Sequence, residues 1–132
     1  MLQLLKYNNK KEIKMCLFCK IINKEIPSNI ILEDEDFLAF HDINPKAPIH
    51  ILVIPKTHFN SFNDVTAEVM SKMTPFIQNV AKEVNIEKNG YRVITNIGEN
   101  GGQEVEHLHF HVLGGAKLKW GHFSDADTKG HF

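Results

Sequence analysis

Residues 101–115, "GGQEVEHLHFHVLGG", set three histidines at alternate positions between two glycine pairs. Strict alternation is the period of a β-strand, on which every second side chain shares a face. The reading is therefore a strand over "VEHLHFHVL" that sends His107, His109 and His111 one way. Leu108, Phe110 and Val112 point the other way, into a core. Neighbouring histidines on such a strand lie ~7 Å apart and the outer two ~13 Å. Two could share a metal ion, but three on a straight strand could not, so at least one has another task. The loop before them carries Gly98, Gly101 and Gly102, which let backbone N–H groups come close to an anion such as phosphate.

Working outward, "IHILVIP" (49–55) is an apolar, β-branched run expected to be a central strand. "NIILEDEDFLAFHD" (29–42) reads as a hairpin around the acidic turn Asp34–Asp36, and "INPKAP" as the loop that follows. "YRVITN" (91–96) is a further strand. From Thr66 to Asn85 the apolar residues recur with helical spacing, with Thr66 as N-cap and a kink expected at Pro75. "CLFCKIINKEIP" (16–27) is a short helix closed by Pro27. These elements predict an α+β domain: about five mostly antiparallel strands, one long helix and one short.

The chain has 132 residues, enough for one domain with a core, and a formal net charge of -1. That charge gives no general attraction to nucleic acid or to acidic membranes, and no apolar run is long enough to span a bilayer. Residues 1–14 are expected to be a disordered extension, with Met15 an alternative start, 15–121 the domain and 122–132 a tail. The opening segment lacks the order of a signal peptide, so a cytoplasmic protein is expected. In that compartment Cys16 and Cys19, a C-x-x-C pair, are half of a metal site or a redox pair rather than a disulfide. No strand precedes Cys16, which disfavours the thioredoxin-like alternative. His41, His122 and His131 are read as solvated.

"HLHFHVL", with "DINPKAPIHILVIPKTH" and "GGQEVEHLHFHVLGG", resembles the histidine triad superfamily, and its Hint branch in particular. The likeness runs from about Cys16 to Trp120. It implies hydrolysis of the P–N bond of purine nucleoside phosphoramidates through a nucleotidyl-histidine. His109 would be the nucleophile, with His111 and His50 beside the phosphate. It further implies that Asp42 receives the ribose hydroxyls, that Phe18, Ile21, Ile26, Phe40 and Ile43 surround the purine, and that Asn96, Gly102, Gln103 and Glu104 contact the substrate. Cys16, Cys19, His58 and His107 match a structural zinc site. Trp120 would reach the active site of a second copy in a homodimer with a continuous sheet. Glu106 stands where an aromatic or apolar residue is usual, and is read as a solvated surface residue or a contact to a cationic leaving group. The alternatives are a dinucleoside polyphosphate hydrolase, which the Gly-Gly after the triad disfavours, and a zinc-stapled module that binds nucleotides or proteins without turnover.

Overall fold

Leu38, Phe40, Leu52 and Ile54 bury one face of a sheet while Phe37, Ala39, Ile51 and Val53 bury the other, so both faces of its central strands need cover. Two helices supply it. The structure is a computed structural model that describes residues 16–121 and 123–126. The extension at 1–14, Met15, His122, His131 and most of the tail lie outside the described residues. The elements run α1 (Leu17–Ile22), β1 (Ile30–Glu33), β2 (Phe37–His41), β3 (Ile49–Pro55), α2 (Ala67–Glu83), β4 (Arg92–Ile94) and β5 (Phe110–Gly114). The five strands form one sheet in the order β1-β2-β3-β5-β4, every pairing antiparallel. The fold is thus α+β as the sequence predicts, with β3 at the centre.

Helix α2 covers one face with Met73, Phe76, Ile77, Val80 and Ala81, and Phe76 meets Phe37 with ring centroids 5.4 Å apart. Its N-cap is Thr66, whose hydroxyl accepts from the Val69 N–H. The helix runs on across Pro75, which lies on its exposed face where the freed Ser71 carbonyl can be hydrated. Helix α1 covers the other face with Phe18 and Ile21.

Two boundaries differ from the sequence reading. Helix α1 ends at Ile22, not near Pro27. Lys24 takes φ 64°, its N–H donates to the Ile21 carbonyl, and the Glu25 N–H reaches back to Lys20, a Schellman stop. The last strand begins at Phe110 rather than Val105. Beyond the Val53–Phe110 pair, β3 runs out at Pro55, which has no N–H and whose carbonyl bonds the His107 ring. On the side of β4, Thr95 gives its hydroxyl to the His109 carbonyl. The alternation of faces nonetheless persists: Leu108, Phe110 and Val112 pack in the core under α2.

Candidate functional site

The histidine row lies on the sheet face that α1 covers, and each ring has a different set of partners. His107 is fully buried, and its Nε2 lies 2.9 Å from the Pro55 carbonyl. A carbonyl only accepts, so Nε2 carries the proton and Nδ1 presents a lone pair. That Nδ1 stands 3.3 Å from Cys16 Sγ and 3.6 Å from Cys19 Sγ. His58 repeats the arrangement: Nε2 lies 3.0 Å from Asn60 Oδ1, while Nδ1 is 3.6 Å and 3.4 Å from the same two sulfurs. The sulfurs are 3.1 Å apart. A tetrahedral zinc ion with S₂N₂ ligands needs edges of about 3.3–3.8 Å, so these four atoms can hold a metal ion with only a slight spreading of the sulfurs. Each imidazole ligand is also oriented through its second nitrogen, as in metal sites generally. Burial pushes the Cys19 thiol up to about 12, with the neighbouring Cys16 adding to it. Burial likewise pushes His107 down to about 4. Only a cation would bring the Cys19 thiolate out at neutral pH.

His109 Nδ1 lies 2.7 Å from the carbonyl of His107. By the same rule Nδ1 is the protonated nitrogen and Nε2 the bare one. The Phe18 ring stands edge-on to it at 5.1 Å, and the ring of His111 is also 5.1 Å away.

His111 belongs to a chain of hydrogen bonds that starts in the loop after β2. The Lys46 N–H donates to His50 Nδ1 at 3.0 Å, so neutral His50 keeps its proton on Nε2. That nitrogen is 2.9 Å from His111 Nδ1 and 3.4 Å from Asp42 Oδ2. His111 Nδ1 therefore accepts, and its Nε2–H is left without a protein acceptor among the described residues. Burial, with His109 and His50 adding, pushes His111 down to about 4, and burial also lowers His50 despite the carboxylate of Asp42. Both rings are neutral at pH 7, so the Asp42 contact is a long hydrogen bond and not an ion pair. Asp42, His50 and His111 also cluster closely enough for a metal. The Lys46 N–H argues against one there, because a metal on His50 Nε2 would force a second N–H onto Nδ1, facing the first.

His50, His109 and His111 open onto a cleft of about 490 Å³. Phe18, Ile21, Ile26, Phe40 and Ile43 line its apolar part, and Asp42, Asn96, Gly102 and Glu104 its polar part. Ile43 is 98% exposed, so the apolar lining extends to a bare rim. The glycine loop is shaped for close approach: Gly102 has φ 80°, and a Cβ on Gly101 would collide with the Ile97 backbone. Asn96 braces that loop through Nδ2 to the Gly101 carbonyl at 2.7 Å.

Two residues expected at a substrate, Trp120 among them for the cleft of a second copy, lie outside this chain's own cleft. Gln103 does not line the cleft; it accepts from the Gly98 N–H and donates to the carbonyls of Asn60 and Val105, tying the glycine loop to the loop of His58. Trp120 is 81% exposed, meets the Phe123 ring edge-on and lies against the Arg92 guanidinium, away from the cleft of its own chain. Conversely, the exposed His41 and Lys46 also border the cleft, although nothing in the sequence pattern marks either for it. Lys46 sits in the turn four residues before His50. A smaller cavity of about 230 Å³, beside Phe37 and the first turn of α2, holds no histidine or cysteine.

A family model described as the HIT domain matches residues 23–118. An uncharacterised HIT-like protein of Helicobacter pylori is 54% identical over 103 residues, 78% of this chain and 99% of its own. A purine nucleoside phosphoramidase of Escherichia coli K12 is 45% identical over 105 residues, 77% of this chain and 88% of its own. Among solved structures, a HIT family hydrolase from Clostridium thermocellum superposes with a TM-score of 0.78 at 42% identity, covering 83% of this chain and 97% of that one. A histidine triad protein from Clostridium difficile gives 0.76 at 49% identity, with 81% and 96% covered.

Proposed function

The chain belongs to the histidine triad family, and from that premise we propose that it is a nucleotide hydrolase that cleaves the P–N bond of purine nucleoside 5′-phosphoramidates. The observation that carries the reading is the bare Nε2 of His109, held as a lone-pair donor by the His107 carbonyl on a cleft that is apolar in one part and polar in the other. The purine occupies the apolar part around Phe18 and Phe40, and Asp42 accepts from the ribose hydroxyls. His109 Nε2 attacks the α-phosphorus, an N–P bond forms, and the P–N bond to the amine breaks. His111 Nε2–H donates a hydrogen bond to a phosphoryl oxygen or to the departing nitrogen, and that nitrogen takes its proton from a water molecule. The hydroxide so formed attacks the nucleotidyl-histidine, the bond from His109 Nε2 to phosphorus breaks, and the nucleoside monophosphate leaves with His109 restored. His50 keeps His111 in its donor tautomer, and the Gly102 loop and Asn96 flank the phosphoryl oxygens, whose charge such donors stabilise.

Cys16, Cys19, His58 and His107 would hold zinc, and four protein ligands would leave no position for water, so its part would be structural. The domain pairs with a second copy in the cytoplasm. The three-residue edge strand β4, with Val93 exposed, and the uncovered Trp120 support that pairing.

Release of AMP from adenosine 5′-phosphoramidate by wild type and His109→Ala tests the reading. Release by wild type alone is expected, with the variant slower by at least ~10³. Equal release by both would remove the covalent mechanism. No release by either would leave the dinucleoside polyphosphate hydrolase and the binding module.

A further inference from the structure

His107 is attached to both halves of the site at once. Its ring Nδ1 faces the two cysteine sulfurs, its ring Nε2 is fixed to Pro55, and its own carbonyl takes the Nδ1–H of His109 at 2.7 Å. The elements that bear the other metal ligands grip the same three residues. The Leu108 N–H donates to the Phe59 carbonyl at 2.7 Å, next in sequence to His58. Phe18, between the two cysteines, sets its ring edge against His107 at 5.9 Å and His109 at 5.1 Å.

We propose that His107 is a positioning residue through which metal at the Cys16–Cys19–His58–His107 site sets the tautomer and aim of His109. The inference deepens the reading of His109 as nucleophile and rests on it. A metal bond at Nδ1 would give the His107 ring a second anchor besides Pro55, and a ring held at both nitrogens fixes the carbonyl behind it. Without the metal, the partners of that buried Nδ1 among the described residues are two cysteine sulfurs and the His58 ring, and sulfur is a weak hydrogen-bonding partner. The loop of His58, whose Phe59 carbonyl takes the Leu108 N–H of the same peptide, then loses its metal anchor too, so the His107 peptide can rotate with it and His109 loses the acceptor that keeps its proton on Nδ1.

The test compares zinc-loaded wild type, chelator-stripped wild type and His58→Gln, whose substitution lies on an exposed loop and leaves His107 intact. Histidine-ring ¹⁵N NMR reads the tautomer of His109 directly, and steady-state kinetics on adenosine 5′-phosphoramidate split kcat from KM. The expected result is one His109 tautomer, protonated at Nδ1, with zinc, and a mixture of both without it. With that change kcat falls by about tenfold, as for other residues acting through a metal site's outer contacts, while KM holds. A single Nδ1–H tautomer in stripped protein overturns the proposal. So does loss of nucleotide binding together with kcat, because the metal would then hold the fold and not the nucleophile. A tautomer change in protein that never turns over sustains the coupling and removes the nucleophile reading instead.

Discussion

His50 receives a hydrogen bond from a backbone N–H and passes one to His111, and the direction of that chain is what gives His111 its outward proton. His50→Ala leaves His111 Nδ1 without a donor and frees the ring to carry its proton on either nitrogen. Loss of one such buried bond corresponds to about 1–3 kcal/mol, so kcat for phosphoramidate cleavage should fall roughly ten- to a hundredfold, with KM little changed. An equal kcat would show that His111 orients itself. His111 should stay neutral on acidification until near pH 4, as ring ¹³C or ¹⁵N titration will read. A midpoint near 6.5 would mean that the ring is hydrated rather than buried. The sequence shows which residues are histidines and which face they take, but not these directions. Proton placement depends on Pro55, Lys46 and Asn60, residues with no mark of their own in the pattern.

The elements that periodicity could reveal are those that bury a regular stripe. Helix α2 repeats its apolar positions over four turns, and the structure places its N-cap at Thr66 as read. Helix α1, at six residues, is too short for a pattern to fix its end, and the stop comes from backbone geometry at Lys24. A non-glycine residue in the left-handed region costs roughly 1 kcal/mol. Lys24→Gly should therefore raise the urea midpoint by an amount worth up to about 1 kcal/mol, with the exposed Lys24–Glu33 ion pair at 3.1 Å offsetting only a few tenths. A loss of stability would show that the ion pair outweighs the strain. Thr66→Ala should cost about 1 kcal/mol through the lost cap. The late start of β5 is invisible for a different reason: the strand pattern continues through His107, but at that level the Pro55 carbonyl is taken by the His107 ring and the His109 carbonyl by the Thr95 hydroxyl.

At the scale of the whole molecule, two buried imidazoles and one half-buried imidazole are held neutral on one face of the sheet. His107 and His111 are pushed down to about 4 and His50 is lowered, whereas in the unfolded chain each titrates near its ordinary value. Between pH 6.5 and 4 the unfolded chain binds more protons than the folded one, so stability is present above this window and is lost as pH falls through it. Each histidine adds a slope of at most about 1.4 kcal/mol per pH unit. The urea midpoint of chelator-treated protein should accordingly drop from pH 7.5 to pH 5. The lowered carboxyls of Glu33 and Asp64 act only at more acid pH. A flat midpoint would mean that the rings take up protons without leaving their places. Trp120 is the chain's single tryptophan, and it stands bare beside Arg92 and Phe123. Its fluorescence is therefore a private optical channel. Red, quenchable emission marks an isolated chain, and a blue shift that fades on dilution marks a second chain settling over the ring.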